Sequence, residues 1–341
     1  MLDLVKELCS LDGTSGREEN VRNYIINKIE GKCDYCVDPL GNILAFKKGK
    51  ETPKNKVMLS AHMDEVGFIV TYITDDGYIK FSTVGGIDSK VIAGRTVCFS
   101  QSKEPVYGVI GLKAVHLTDS SEKGKVPSVS KMYIDIGATS KEEAEKYVSV
   151  GDSAYFVSDV LEFGSNKLKA KAIDDRFGCA IMLSMIEDEL PYDANFAFLV
   201  QEEVGLRGAG VAAYSISPDY AIVLEATTAA DVAGVGDADC VCKQGEGAVI
   251  SFMDRSTVYN FDMFKGAFEI AKEKNIKCQP KTAVAGGNDA GAIHKSVGGI
   301  KTITISLPCR YIHSGTSVAD IRDMESCKAL AKALFEEYAN A

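Results

Sequence analysis

The sequence predicts an α/β protein whose mostly parallel, doubly wound sheet carries a small, β-barrel-like inserted domain. Two observations support this fold class. Almost wholly apolar segments such as 56–61 and 194–201 alternate with segments of helical periodicity such as 176–189, a pattern typical of parallel sheets covered by helices. Between residues 67 and 164, short β-type segments separated by glycine replace that alternation. A chain of 341 residues also exceeds the usual size of one core, so about two domains are expected.

The first part of the α/β domain is expected over residues 1–66. Its elements are helices over 2–9 and 17–29 and strands over 43–46 and 56–61. The second helix is assigned because Val21, Ile25 and Ile29 recur on one face. The second strand is almost continuously apolar and ends at His62, which is typical of an interior strand.

The remaining elements are assigned by the same patterns. Within the insert, 67–164, strands are expected over 68–73, 78–82, 96–99, 106–110 and 153–157, with a helix over 141–147. The α/β domain resumes over 165–341, with helices over 176–189, 263–274 and 324–338 and strands over 194–201, 220–224 and 302–307.

The composition excludes several classes of protein. A formal net charge of -10 without a long basic run argues against nucleic acid or an anionic membrane as partner. The N-terminus lacks a basic start followed by an apolar stretch, and no apolar run approaches the length of a membrane span, so we expect a cytoplasmic protein. The ten cysteines are interpreted as reduced thiols, because no secretory leader is expected in this chain. Cys33 with Cys36 and Cys240 with Cys242 resemble halves of a zinc site, but no second ligand pair accompanies either one.

Histidines and carboxylates follow the predicted strands. Ligands of open α/β sheets bind beyond the carboxyl ends of the strands, and one acidic pair precedes a helix, where carboxylates are favourable. The candidate residues are His62, Asp64, Asp174, Asp175, Glu202, Glu203, Glu225 and His313. His116 and His294 lack this pattern: His116 is interpreted as structural or interfacial, and His294 as structural, with a role in a pocket as the alternative. The candidates therefore predict a site at one rim of the sheet.

Mixed imidazole and carboxylate ligands suit zinc, cobalt or manganese. Two such ions, about 3.5–4 Å apart, share a hydroxide and polarise a carbonyl group. A further carboxylate is then needed to carry protons, and Glu202 and Glu203 can divide these tasks as base and ligand. Simpler interpretations stay open at this point, because Asp174 and Asp175 also fit a helix cap.

Five segments resemble those of the TET-type co-catalytic dimetal aminopeptidases, which include glutamyl, leucyl and lysyl aminopeptidases. The resemblance extends over nearly the whole chain and is carried by residues 61–67, 173–176, 201–205, 286–290 and 310–313. Residues 133–138 and 141–144 also resemble the inserted domain of that family.

The resemblance implies a set of metal ligands. Asp174 bridges two ions, His62 and Glu225 complete one site, and Glu203 and His313 complete the other. The ions implied are zinc or cobalt, with manganese as a further possibility, and the peptide bond after the bridging aspartate is commonly cis.

The resemblance also implies the remaining roles. Glu202 is the general base and Asp64 orients His62, as outer carboxylates do for histidine ligands. The activity implied is removal of N-terminal residues from short peptides through a metal-bridged hydroxide. Residues 67–164 correspond to the dimerisation domain of the family, whose dimers build dodecamers.

One departure from the family pattern leaves an alternative activity open. The family most often has Asp where this chain has Glu225, and Glu at this ligand is associated with carboxypeptidases and N-deacylases. Such an enzyme needs an arginine for the substrate carboxylate, and the arginines after Glu225 are Arg255, Arg310 and Arg322. A glycoside hydrolase or a non-catalytic binding protein are alternatives of other classes. The preferred N-terminal residue is left open by the sequence.

Overall fold

A computed structural model describes residues 1–99, 104–117 and 124–341 of the chain. The α-helices of these residues are α1 (Leu2–Ser10), α2 (Glu19–Ile29), α3 (Lys141–Ala144), α4 (Ile173–Glu187), α5 (Arg207–Ile216), α6 (Phe261–Glu273), α7 (Ala290–Ile293) and α8 (Ile321–Asn340).

The strands of the described residues form two separate bodies. They are β1 (Asp34–Val37), β2 (Ile43–Lys47), β3 (Val57–His62), β4 (Gly67–Ile73), β5 (Ile79–Val84), β6 (Thr96–Phe99), β7 (Val106–Gly111), β8 (Tyr133–Asp135), β9 (Ser153–Phe156), β10 (Leu161–Phe163), β11 (Lys167–Ala170), β12 (Ala194–Leu199), β13 (Tyr220–Thr228), β14 (Ala248–Ile250), β15 (Cys278–Pro280), β16 (Lys301–Arg310) and β17 (Ser317–Asp320).

The larger body is an eleven-stranded sheet with the order β1-β2-β12-β3-β13-β16-β17-β11-β10, from which β14 and β15 branch at β16. Its centre is parallel, because β3 pairs in parallel with both β12 and β13, and β13 pairs in parallel with β16. The outer strands β1, β2, β17, β11 and β10 pair antiparallel. The parallel centre places the carboxyl ends of four adjacent strands at one rim.

Helices cover both faces of this sheet. Strand β3 is buried along its whole length. Its residues Val57, Leu59 and Ala61 pack into the larger core with α1, α2, α4 and α8. Met58 points to the opposite face, where it packs with Ala209 and Ala212 of α5. Alternate residues of one strand thus enter different cores, as expected for a doubly wound sheet.

The smaller body is a closed barrel of six strands in the order β4-β5-β8-β7-β6-β9. Its interior is filled by side chains, among them Phe68, which makes edge contacts with Phe81 at 5.2 Å and Phe156 at 5.0 Å between ring centroids. Closure leaves no open sheet edge in this body. The glycine-punctuated segments of the insert therefore form a barrel, as predicted.

One helix and one strand boundary differ from the prediction in ways that matter for the site. Helix α5 has no counterpart in the prediction, because its sequence contains Gly208 and Gly210, which lower helix propensity. Strand β13 continues four residues beyond the predicted end at Leu224, to Thr228. Glu225 therefore lies within a strand, paired in register with Ser306, and does not follow the strand end.

Among the described residues, no helix is both long enough and apolar enough to cross a membrane.

Candidate metal centre

The first turn of α4 departs from helical geometry at the candidate bridging residue. Ala172 has a left-handed backbone with φ 52°, and Asp174 and Asp175 have non-helical backbone angles within the first turn. The peptide bond between Asp174 and Asp175 is cis, as the resemblance implies. Asp175 is fully buried and accepts a hydrogen bond from the amide of Gly178 at 3.1 Å.

The two oxygens of Asp174 face different histidines. Its Oδ1 lies 3.3 Å from Nε2 of His62, and its Oδ2 lies 3.4 Å from Nε2 of His313. Glu225 Oε2 lies 3.9 Å from the same atom of His62, and Glu203 Oε2 lies 3.4 Å from that of His313. Each trio offers three ligand atoms within 4.8 Å of one another. The structure thus brings together all five sequence-predicted ligands as two trios that share Asp174.

Asp64 connects the two sides of this centre. Its Oδ1 lies 3.4 Å from Nδ1 of His62, whose closer neighbour, at 3.1 Å, is the backbone oxygen of Asp64 itself. The same carboxylate accepts hydrogen bonds from the amides of Glu202 at 3.0 Å and Glu203 at 3.2 Å, and from the hydroxyl of Ser15 at 2.6 Å. Asp64 therefore holds the turn after β12 as well as the ring of His62.

Glu202 is half-buried and lines a cavity of about 360 Å³ together with Asp174, Glu225 and His313. Gly286 and Gly287 also line this cavity. Gly287 approaches Ser256 so closely that a Cβ atom would lie 2.8 Å from the Ser256 hydroxyl oxygen. The glycine pair noted in the sequence therefore borders the cavity that Glu202 faces.

Burial dominates the electrostatics of the carboxylates. It raises the pKa of Glu202 and of Glu225 well above the ordinary value and that of Glu203 to about 7. Burial also opposes ionisation of Asp174, but hydrogen bonds with His313 and His62 hold its pKa below the ordinary range. Buried acids this close together repel one another, and a positive charge placed among them would be stabilised.

Asp289 and the ion-paired Glu65 are buried polar groups that the sequence does not single out. Both oxygens of Asp289 are buried without a hydrogen-bond partner among the described residues, and so is one oxygen of Glu225. Asp289 belongs to a segment that carries the family resemblance, but nothing in the sequence indicates its burial. The Glu65 carboxylate is the second group: it lies 2.6 Å from the ammonium of Lys171 and 3.2 Å from the guanidinium of Arg176.

Two of the three arginines that a carboxypeptidase could use are paired with acids, and none of the three lines the cavity. Arg310 makes a bidentate pair with Asp231 at 2.7 and 2.8 Å. Arg322 pairs with Asp320 at 2.7 Å. Arg255 is exposed, and the described residues that line the cavity include no arginine. A substrate carboxylate in the cavity would therefore find no free guanidinium.

An α/β sheet with an inserted barrel, and with histidines and carboxylates gathered at its strand ends, defines the class of metallopeptidases. Comparison with known proteins identifies the family: residues 41–330 match the family model described as M42 glutamyl aminopeptidase. The chain belongs to this family.

Relatives and solved structures agree with this assignment. A relative from Acetivibrio thermocellus is 42% identical over 98% of each chain. The lysyl aminopeptidase of Pyrococcus furiosus is 31% identical over 98% of this chain and 96% of that protein. The TET1 peptidase of Pyrococcus horikoshii, which can assemble into a tetrahedron or a large octahedral shell, is 35% identical with a TM-score of 0.86, covering 98% of each chain.

These findings confirm the predicted TET-type resemblance, the fold class and the assignment as a metal-dependent aminopeptidase. The roles of the individual residues stay predictions.

Proposed function

We propose that this aminopeptidase removes N-terminal residues from short peptides with two divalent ions held around Asp174. One observation carries the proposal: the two oxygens of Asp174 face two different histidines, at 3.3 Å and 3.4 Å. A carboxylate in this position can bridge two ions, while His62 with Glu225 and His313 with Glu203 supply the outer ligands.

The residues present fit such a pair of ions. Each trio combines one imidazole with two carboxylates, a donor set suited to zinc or cobalt, and also to manganese. One oxygen of Glu225 is buried without a hydrogen-bond partner among the described residues, although a buried ionised carboxylate is costly when unpaired. A cation at this place would satisfy that oxygen and offset the repulsion between the acids.

The protein's own groups divide the work of hydrolysis. Bound divalent ions would lower the pKa of a water molecule and polarise the scissile carbonyl. Glu202, which borders the cavity without belonging to either trio, takes the proton from the attacking water and passes it to the leaving amine. Asp64 orients the His62 ring and holds the backbone of Glu202 and Glu203 through two hydrogen bonds.

We further propose that copies of the chain associate through the insert, 67–164, into dimers and then a dodecamer. The barrel carries exposed apolar side chains, among them Tyr107 (60% exposed), Tyr147 (52%) and Val150 (64%). Tyr107 and Tyr147 line one surface depression together with Ile136, and a contiguous exposed apolar patch favours a protein interface. The TET1 peptidase of Pyrococcus horikoshii, a structural relative, can form closed shells.

The metal assignment is tested by counting bound ions. The purified protein is loaded with zinc or cobalt and analysed by mass spectrometry of its metal content. Asp174→Asn should lose both ions, whereas Glu225→Gln and Glu203→Gln should each weaken one. Asp237→Asn is the control, because the Asp237 side chain is 95% exposed and its ion pair among the described residues is with Lys243. Two ions retained by Asp174→Asn would contradict the bridging role.

The activity is tested with two substrate sets, amino-acid p-nitroanilides and N-acylated amino acids. We expect cleavage of the first set and its loss with a chelator. Cleavage of the acylated set alone would refute the aminopeptidase and support the carboxypeptidase or N-deacylase alternative.

A further inference from the structure

A turn with two adjacent glycines lines the cavity that Asp174 and Glu202 also line. Gly286 and Gly287 are exposed, whereas the next residue, Asn288, is only 7% exposed. The amides of the two glycines donate to no backbone carbonyl of the described residues. Because glycine has no side chain, a ligand in the cavity can approach these amides closely. The glycine turn, residues 286–287, therefore offers main-chain donors close to the candidate metal centre.

A buried tyrosine is hydrogen-bonded to the residue that follows this turn. Tyr259 is 6% exposed, and its phenol oxygen lies 2.7 Å from Asp254 Oδ2, 3.2 Å from Asn288 Nδ2 and 2.8 Å from Thr304 Oγ1. Burial and the negative charge of Asp254 raise the pKa of Tyr259, so the phenol keeps its proton. With one proton to give, the phenol donates to Asp254 and accepts from Asn288 and Thr304.

The segment that contains Asp254 makes two further contacts with the glycine turn. The Asp254 side chain accepts hydrogen bonds from the amide of Ser256 at 2.7 Å and from its hydroxyl at 2.9 Å. The amide of Arg255, which lies between them, donates to the carbonyl oxygen of Gly286 at 2.9 Å. Ser256 packs against Gly287, where an added Cβ atom would lie 2.8 Å from the serine hydroxyl oxygen. Tyr259 and Asp254 therefore hold the turn through three separate contacts.

We propose that Tyr259 is a positioning residue for substrate binding, because it holds the glycine turn where its amides bind the main chain of the peptide. The inference rests on the proposed aminopeptidase function and adds a subsite to the same cavity. The N-terminal residue of a substrate has one main-chain carbonyl, the scissile one, which bound metal ions would polarise. Any other main-chain acceptor lies after the scissile bond. The glycine amides thus bind the part of the peptide that leaves.

The experiment uses two substrates that share the N-terminal residue and differ in the group that leaves. The first is the amino-acid p-nitroanilide that the native enzyme cleaves fastest, and the second is a tripeptide with the same first residue followed by two alanines. Tyr259→Phe removes the hydroxyl, so Asn288 loses an acceptor while the buried ring stays. The KM for the tripeptide should rise about tenfold, as expected for a weakened hydrogen bond to the substrate. The kcat for the tripeptide, the KM for the p-nitroanilide and the metal content should stay within about threefold of native.

Tyr338→Phe is the matched control. Tyr338 is also 6% exposed, but its hydroxyl has no hydrogen-bond partner among the described residues. Its ring stacks on that of Tyr220, the first residue of β13, and so lies away from the carboxyl ends of the strands. Both kinetic constants of this variant should match the native values for both substrates.

A second pair of variants tests the turn without changing Tyr259. Gly287→Ala places a methyl group 2.8 Å from the Ser256 hydroxyl oxygen and displaces the turn. The KM for the tripeptide should rise about tenfold or more, because displaced donors no longer fit the substrate. Adding Ser256→Gly removes the two closest side-chain atoms that this methyl group meets and keeps the amide that donates to Asp254. The double variant should recover a tripeptide KM within about threefold of native.

Two outcomes would overturn the positioning proposal. Tyr259→Phe or Gly287→Ala could keep the native KM for the tripeptide, which means that the turn does not bind the peptide. Either variant could raise the KM of both substrates equally, which indicates a general structural role. A native enzyme that cleaves neither substrate with its metal ions bound would instead refute the proposed function itself.

Discussion

Replacing Asp64 with Asn tests whether one carboxylate holds both halves of the metal centre. The native side chain accepts hydrogen bonds from the amides of Glu202 at 3.0 Å and Glu203 at 3.2 Å, one to each oxygen. It also lies 3.4 Å from Nδ1 of His62. Asn has nearly the same shape but only one acceptor oxygen, so its NH2 group must face one of the two amide donors.

The expected losses of stability and of metal affinity follow from these contacts. One buried amide left without an acceptor costs about 1–3 kcal/mol. The amide that keeps its acceptor still loses a charged partner, and charged hydrogen bonds are roughly twice as strong as neutral ones. We therefore expect the free energy of unfolding to fall by about 2–4 kcal/mol. Loss of the outer carboxylate should also weaken metal affinity about 10- to 100-fold.

The assay measures metal affinity by competition with a chelator of known affinity, and stability by chemical unfolding of the metal-free protein. Ser15→Ala is the matched control: it removes the hydroxyl that donates to Asp64 at 2.6 Å but leaves both amide bonds intact. Ser15→Ala should change metal affinity by less than about threefold, well below the 10- to 100-fold loss expected when the outer carboxylate is removed. Native metal affinity and native stability in Asp64→Asn would refute the reasoning.

Two further predictions concern Glu202 and Glu18. Glu202→Gln should retain metal content while kcat falls roughly 10²- to 10⁴-fold, because the proton carrier is lost; unchanged turnover would rule out its role. Burial raises the pKa of Glu18 to about 7. Since the unfolded chain releases this proton near pH 4.3, the folded state loses relative stability as pH rises from there to about 7. In Glu18→Gln the Oε1 atom can still accept from the amides of Gly16 and Gln201. The free energy of unfolding of this variant should equal that of the native protein at pH 4 and exceed it by about 3 kcal/mol at pH 8. If the variant and the native protein are equally stable at pH 8 as well, the raised pKa of Glu18 is contradicted.

Much of the site was predictable because its residues lie where local patterns change. His62 is the last residue of an apolar strand, and Glu202 and Glu203 follow another, so the rule for strand ends predicts their proximity. Asp174 precedes a helical pattern and was recognisable for the same reason. Glu225 was identified as a candidate although the predicted strand ended too early, since a carboxylate beside an apolar run is conspicuous.

Other features of the site carry no local signal. Asp64 was expected to orient His62, but its hydrogen bonds to Glu202 and Glu203 join residues 138 and 139 positions apart. The burial of Asp289 and of Tyr259 likewise depends on segments distant in sequence. Helix α5 was missed because its two glycines weaken a helix that packing against β12 stabilises.

The periodicity of apolar residues and the identity of a few polar ones are enough to specify the elements of the sheet, the barrel-forming insert and the residue types of a metal centre. Such patterns follow from backbone geometry and side-chain burial, which act over a few residues. The sharing of Asp174 between two trios, the two tasks of Asp64 and the hydrogen bond between Tyr259 and Asn288 arise only on folding. Strand register and close packing set distances of a few ångströms between residues far apart in the chain, and those distances decide which groups meet.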